Sequence, residues 1–404
     1  MTRSGRAAWA AGGACLLLLA AALSFAWPGD SLLTPDHATG TTTWSWLYLA
    51  CLAAAFAAYL VGLLALHRRT SALVPVLVLA GAIQLVPLAA PVLLSTDVYT
   101  YWDYGRIRAV HGANPYADKP SVFPDDPAYE RMGANWRRTT TVYGPVFTLA
   151  SEGHAVVVRK SPGAAAWLYK GLAALAVLAL TGLAAGLARE HAFAAAFVGW
   201  NPLLAVHFAG GGHNDAWMMA CVLGALALAA SGRRQLAGAA WVGAIAIKWV
   251  ALVFLPLRAL EARAKGRRVG HLGFAVAAVI VSALATWRYG TAWLEAFGPL
   301  AKNLREGADY SIPSRVSALG VPHDAAAALL AVLFALAYLW LLREAWRGRA
   351  RLGLCAGLLL VATPWLIAWY AVWAVPLAAA EEDRTARLLA LGLCAYLLRN
   401  AVPL

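Results

Sequence analysis

Two carboxylates, Asp97 and Asp103, sit in the mixed stretch S-T-D-V-Y-T-Y-W-D-Y-G-R at Ser95 to Arg106. A carboxylate can take a proton from an attacking hydroxyl, and neighbouring phenols can hold it in place. In a helix, Asp97, Tyr101 and Tyr104 follow the i, i+4, i+7 spacing and share one face. Asp103 falls about 120° round from them. A reading without chemistry also stands: Ser95 or Thr96 caps a helix and Asp97 complements its dipole.

A second polar group is G-G-G-H-N-D-A-W-M-M at Gly210 to Met219. A glycine-rich turn lets backbone approach a ligand, and His213, Asn214 and Asp215 can hold sugar hydroxyls or orient a base. The plain alternative is a helix-connecting turn with Asn214 or Asp215 as N-cap. Lys248 lies inside the apolar run W-V-G-A-I-A-I-K-W-V-A-L-V-F-L-P. An ionisable group at membrane depth calls for an anionic partner, and a lipid phosphate suits it, with snorkelling to a headgroup as the alternative. Lys302, Arg305, Tyr310 and Arg315 could clamp a phosphate or a sugar, or be solvated loop residues. Trp365, Trp369, Tyr370 and Trp373 could stack on sugar or lipid, or form an interfacial belt.

The elements that must position these residues are membrane helices. The 404 residues are 61% hydrophobic and 13% charged, far from the composition of a soluble domain. The net charge of +13 is not a nucleic-acid signature here, because Lys and Arg cluster in short segments between apolar runs, as the positive-inside rule requires. The five cysteines (Cys15, Cys51, Cys221, Cys355, Cys394) all lie in apolar runs, so neither a disulfide framework nor a zinc site is expected. No strand pattern and no internal repeat is visible. The expected class is therefore all-α, a polytopic integral membrane bundle forming one domain over residues 1–404. Counting short broken pairs, the runs give roughly 11–13 membrane helices.

Taken in order, the basic N-terminus is expected in the cytoplasm and the run to Trp27 is read as a retained helix. Trp44 to Leu66 returns, His67-Arg68-Arg69 is cytoplasmic, and Ser71 to Leu94 goes out again. This places the loop 95–162 on the outer face, with Val146 to Val158 as a surface helix. Ala192 to Ala209 brings His213 to the same side. Leu236 to Leu260 reads as two short helices meeting near Lys248 and interrupted by Pro256, and Leu352 to Ala380 as a second broken pair hinged near Pro364-Trp365. A second large external loop covers 290–323.

Together these stretches resemble the GT-C class of integral-membrane glycosyltransferases that use polyprenyl-phosphate sugars. More narrowly, they resemble the bacterial polyprenol-phosphomannose-dependent α-1,6-mannosyltransferases that build lipomannan-type glycans. The matching pieces are D-V-Y-T-Y-W-D-Y-G at Asp97 to Gly105, G-A-N-P-Y at Gly112 to Tyr116, V-Y-G-P at Val142 to Pro145 and the G-G-G-H-N-D segment. Looser matches are the Lys248 region and P-W-L-I-A-W-Y-A-V-W-A-V-P-L from Pro364.

The resemblance implies an inverting transfer of a sugar, most naturally mannose, from a polyprenyl-phosphate donor to a glycolipid or lipoglycan acceptor. The site would face outward from a bacterial cytoplasmic membrane. Carried onto this chain, the catalytic base is Asp97. The substrate-binding set is Tyr101, Asp103, Arg106, Asn114, Tyr116, Tyr143, His213, Asn214 and Asp215, and the donor-phosphate set is Lys248, Arg305 and Arg315. Two extra helices precede the acidic loop here, so Asp30 and Asp36 in the first external loop remain rivals for the base. No cofactor is implied and a divalent metal is left open. The competing class of function is a transporter or flippase of a lipid-linked sugar.

Overall fold

The computed structural model describes every residue except 1, 2, 36, 38 and 68–71. Asp36, Arg68 and Arg69 therefore lie outside the described residues. Among those described there are 18 α-helices and no strand beyond an isolated bridge between Ser31 and Thr41, so the chain is all-α. The first nine are α1 (Arg3–Ser24), α2 (Thr43–Leu66), α3 (Leu73–Leu85), α4 (Asp97–Ala109), α5 (Pro145–Val158), α6 (Pro162–Leu187), α7 (His191–Gly199), α8 (Pro202–Ala205) and α9 (Asp215–Ala230). They are followed by α10 (Arg234–Ile247), α11 (Phe254–Ala264), α12 (His271–Tyr289), α13 (Phe297–Glu306), α14 (Ile312–Ser317), α15 (His323–Trp346), α16 (Leu352–Ala362), α17 (Val375–Glu381) and α18 (Arg384–Leu397).

Five helices among the described residues are long and apolar enough to cross a membrane: Arg6–Ser24, Thr43–Leu66, Pro162–Leu187, His271–Tyr289 and His323–Trp346. A bent pair, His191–Gly199 with Pro202–Gly210, makes a further candidate with a 47° bend. The bend has a local cause. Pro202 cannot supply a backbone N–H, and the Asn201 side chain caps the new helix by accepting from Leu203 N at 3.0 Å. The stretches at Leu73–Ala89, Pro145–Val158, Asp215–Ala230 and Leu352–Ala362 fold as shorter apolar helices of 10–17 residues. The chain is thus a polytopic membrane bundle.

Burial divides the bundle into a centre and a rim. Every residue of α7 from Ala192 to Gly199 is buried, and Trp200 after it donates Nε1–H to the Val76 carbonyl at 3.1 Å. In contrast, α12 and α15 are buried over only 11% of their spans and present Leu272, Val279, Leu333 and Leu336 outward. Such apolar faces suit hydrocarbon. The break expected near Lys248 falls on that residue: Lys248 is extended (φ −150°, ψ 124°) between α10 and a 3-10 turn at Trp249–Val253. Pro256 sits in the first turn of α11, where it breaks nothing.

One short run ties several helix starts together. Glu381 accepts from Leu352 N (2.7 Å) and Gly353 N (2.8 Å) at the start of α16. Glu382 accepts from Arg189 N (2.8 Å) and Glu190 N (2.9 Å) at the start of α7. Asp383 accepts from Thr385 N (3.0 Å) and Ala386 N (3.3 Å) at the start of α18, and its other oxygen takes Arg351 Nε at 2.6 Å. Three consecutive acids thus serve three different helix N-termini, where carboxylates are most favourable.

Burial opposes ionisation of Asp383, but Arg351 and the backbone amides hold its carboxyl below the usual range. A depressed folded pKa gives stability that is present above the unfolded value of about 4 and disappears as pH falls through the folded one. Asp383→Ala is expected to lose about 1–3 kcal/mol at pH 7 in detergent thermal unfolding and to flatten the acid limb of the stability curve.

Candidate active site

The site begins with how Asp97 is delivered. Three carbonyls before it, those of Leu88 (3.2 Å), Ala90 (2.5 Å) and Pro91 (3.5 Å), accept from the buried Lys170 ammonium of α6. Leu93 N then donates to Gly210 O at 3.1 Å, which binds the approach to Asp97 to the glycine segment before His213. Gly212 has φ +71°, and a Cβ there would come 2.4 Å from Val98 Cγ1, so only glycine lets the two segments meet. A π-helical turn at Val206–Gly210 precedes the meeting point.

Asp97 opens α4 but does not act as a cap, and neither does Thr96, whose side chain caps nothing. The Asp97 carboxylate turns instead into the site. Its Oδ2 accepts from the Tyr101 hydroxyl at 3.3 Å and lies 3.2 Å from His213 Nδ1. His213 is fully buried and its ring lies parallel to Trp369, with centroids 3.6 Å apart. Burial pushes the Asp97 pKa up, but His213, the charge of Lys248 and the Tyr101 hydroxyl outweigh it and hold the carboxyl below its ordinary value. An ionised carboxylate, 14% exposed, therefore waits at the wall of a cavity.

The opposite charge arrives from three distant segments. Lys248 Nζ donates to Asp215 Oδ1 at 2.6 Å, and Trp373 Nε1 donates to the same oxygen at 2.7 Å. The ammonium lies 4.7 Å from the Tyr370 ring centroid and 5.7 Å from that of Trp373, an aromatic cage for a cation. The V-Y-G-P motif docks on the same break. Gly144 N donates to Ile247 O at 3.1 Å, and a Cβ on Gly144 would fall 2.2 Å from Ala246 O.

Between these groups lies a cavity of about 410 Å³. Asp97, Lys248, Asn303 and Thr363 give it a polar side, while Trp249, Phe297, Leu300, Leu304, Leu359 and Trp365 make the rest apolar. Tyr143 lines it too and packs edge-on against Tyr101 at 5.2 Å.

The structure brings together Asp97, Tyr101, Tyr143, His213, Asp215 and Lys248, and places the other sequence candidates elsewhere. Arg106 is buried against Asp126 (2.7 Å) and the Arg159 carbonyl (2.5 Å), so it braces the loop and does not reach the cavity. Asp103, on the same side of α4, is buried with no partner for Oδ1 among the described residues. Asn114 donates to Tyr289 O at 2.7 Å, and the Tyr116 hydroxyl bonds Tyr143 O at 3.0 Å and Thr148 Oγ1 at 2.9 Å, so both hold the loop. Asn214 is buried with neither amide atom partnered among the described residues. Arg305 and Arg315 are not in the cavity wall: α13 turns Phe297, Leu300 and Leu304 inward, which sends Arg305 outward, and Arg315 covers the Tyr310 ring at 4.4 Å. Asp30 accepts from Trp44 Nε1 at 2.7 Å in the α1–α2 turn and is not in the wall either.

Sequence reasoning missed Trp249, Phe297 and Asn303. The i, i+3, i+7 spacing of Phe297, Leu300 and Leu304 was the available signal. It also missed Asp126, the partner of Arg106, for which no spacing rule offers a clue. Among the described residues, no group of three or more His, Cys, Asp or Glu could hold a metal ion.

The model of one protein family, described as alpha-(1->6)-mannopyranosyltransferase, N-terminal domain, matches residues 8–263. The chain is 31% identical over 240 residues to alpha-(1->6)-mannopyranosyltransferase A of Corynebacterium glutamicum, covering 52% of this chain and 48% of that one. With the protein of the same name from Mycobacterium tuberculosis it is 31% identical over 239 residues, covering 53% and 45%. With a probable alpha-(1->6)-mannopyranosyltransferase of Mycolicibacterium smegmatis it is 30% identical over 142 residues, covering 34% and 25%. The chain therefore spans about half the length, or less, of the curated relatives it matches. No solved structure matches it.

Burial, and after it the charge of Asp126, pushes the Asp103 pKa up to about 7 against the pull of Arg106. A raised acid pKa means that the folded state holds the proton longer, so stability falls as pH rises from about 4 through 7. Asp103→Asn is expected to stabilise the protein at pH 8 by on the order of 1–3 kcal/mol and to do little at pH 4, read from thermal unfolding at the two pH values.

Proposed function

The chain belongs to the alpha-(1->6)-mannopyranosyltransferase family, and from that membership we propose that it transfers mannose, with inversion, from a polyprenyl-phosphate donor to a hydroxyl of a glycolipid or lipoglycan acceptor. The reaction is assigned to the outer face of the cytoplasmic membrane, where the loops 95–162 and 290–323 of a single membrane domain close over the cavity. The single observation that carries this reading is the cavity wall itself, which among the described residues holds one carboxylate, Asp97, and one cation, Lys248.

The chemistry follows from those two charges. Asp97 takes the proton of the acceptor hydroxyl as its oxygen attacks the anomeric carbon from the face opposite the phosphate. One carboxylate suffices for a single displacement, and no covalent intermediate forms. The leaving polyprenyl phosphate gains negative charge, which Lys248 in the same cavity wall stabilises. Asp215 cannot serve as the base, because it is fully buried and its Oδ1 already takes Lys248 and Trp373. His213 is closed off from the cavity and acts through Asp97, fixing the carboxylate and keeping it ionised. The apolar wall accommodates prenyl carbons and keeps water from competing with the acceptor.

The test is purified protein in detergent, given radiolabelled polyprenyl-phosphate mannose and a lipid-linked acceptor. Wild type is expected to transfer label, and Asp97→Asn to fall by about 10²–10⁴ in kcat while its melting curve is kept. Near-normal transfer by a folded Asp97→Asn protein would remove Asp97 as the base. An inactive wild type would count against the activity itself.

A further inference from the structure

A second cavity, of about 260 Å³, opens between α10, α11 and α12, beside the last turn of α9. From Arg234 in its wall, α10 runs 14 residues to the break at Lys248, so about 20 Å of helix separates this cleft from the active-site cavity. We propose that the cleft binds a phospholipid with an anionic headgroup, its phosphate held by Arg234, Arg267 and Arg268 and the upper part of an acyl chain lying inside.

Close backbone contact builds the cleft. A Cβ on Gly270 would fall onto the Arg234 carbonyl and one on Gly273 onto that of Gln235, so only glycine lets the starts of α10 and α12 meet. The Gln235 side chain fixes the same contact by accepting from Gly273 N at 2.8 Å. Arg234 is thereby set beside the connection 265–270, which carries Arg267 and Arg268. The body of the cleft is apolar, made by Trp241 of α10, Leu255 and Ala259 of α11 and Phe274 of α12.

Its charge is one-sided. Arg234, Arg258, Arg267, Arg268 and His271 line it, and among the described residues no Asp or Glu does. Glu261 of α11 pairs with Arg258 and also takes Lys265 Nζ at 2.7 Å, so it is spent on its own helix and the residue after it. Arg234, Arg267 and Arg268 remain. All three are exposed and make no ion pair among the described residues, which leaves a positive surplus even with His271 counted as neutral.

The occupant follows from what borders the cleft. The span formed by α12 is long and apolar enough to cross a membrane and is buried over only 11%, so the cleft opens beside a helix that faces hydrocarbon. A lipid can enter from the side, and basic pockets between membrane helices hold anionic headgroups. The volume lies just under the ~300–1,000 Å³ of sites that enclose a whole small ligand, which suits a headgroup and upper chain with the rest of the lipid in the bilayer. A free phosphate would leave the apolar body unfilled, and a zwitterionic headgroup gives the three arginines no comparable net attraction.

The test uses the chain in detergent, stripped of lipid and titrated with phosphatidylglycerol or with phosphatidylcholine of the same acyl chains, with bound lipid counted by native mass spectrometry. Phosphatidylglycerol is expected to bind in preference and to stay bound when inorganic phosphate is added in excess. The double variant Arg267→Gln/Arg268→Gln should weaken it about thirtyfold and the double Lys variant at the same positions should keep it. Ala259→Trp, which fills the cleft from α11, should abolish it while the melting curve is kept. Equal binding of the two lipids overturns the proposal, as does displacement by inorganic phosphate. So does phosphatidylglycerol binding unaffected by the Gln pair and by Ala259→Trp. The readout needs no sugar transfer, so it is independent of the activity proposed above.

Discussion

The ion pair between Lys248 and Asp215 is the contact on which the site depends. Asp215 is fully buried and its Oδ2 has no partner among the described residues, so the carboxylate is tolerated only because Oδ1 takes both Lys248 and Trp373. Removing one partner of such a pair leaves an uncompensated buried charge and typically costs about 3–5 kcal/mol. The pair also fixes geometry. With Trp373 on the same Asp215 oxygen, it joins the start of α9, the break after α10 and the aromatic turn at Ala368–Trp373 into one wall. The loop carrying Asp97 is then set against that wall from two sides, by Gly144 on Ile247 and by Leu93 on Gly210.

The electrostatic logic of the cavity follows from that frame. An apolar wall strengthens every interaction inside it, and would ordinarily push a lone carboxylate toward its neutral form. Asp97 escapes this because His213, Lys248 and Tyr101 all favour its charged form. Asp103, six residues on and equally part of α4, has only the charge of Arg106 on its side, which burial and Asp126 outweigh, and goes the other way, up to about 7. Two carboxylates on one helix thus have opposite protonation preferences, which separates a group able to accept a proton from one that holds its own.

Much of this was legible in the sequence, and the limits are physical. Periodicity alone put Asp97 and Tyr101 on one face, and the structure joins them by a hydrogen bond. The break at Lys248 was readable because Leu236 to Leu260 begins and ends beside basic clusters and is too short to cross twice as full helices; the partner itself, Asp215, could be guessed only as an anion. Arg106, Arg305 and Arg315 show where reading stops. Their types suit a sugar or a phosphate, yet Arg106, read as a substrate residue, is taken by Asp126, twenty residues away in sequence, and Arg315, read as a phosphate ligand, by the Tyr310 ring. Which of several cations faces a cavity is decided by packing between elements, and no local spacing encodes it.

The central claim is that base and phosphate site are separate groups in one cavity, so binding and chemistry should come apart. Donor affinity, followed by quenching of the cavity tryptophans with polyprenyl-phosphate mannose, tests this when measured beside turnover on the same preparations. Asp97→Asn is predicted to bind the donor as wild type does while turnover collapses, and Lys248→Gln to lose donor affinity. Loss of donor binding in step with turnover for Asp97→Asn, or unchanged affinity for Lys248→Gln, would contradict the account.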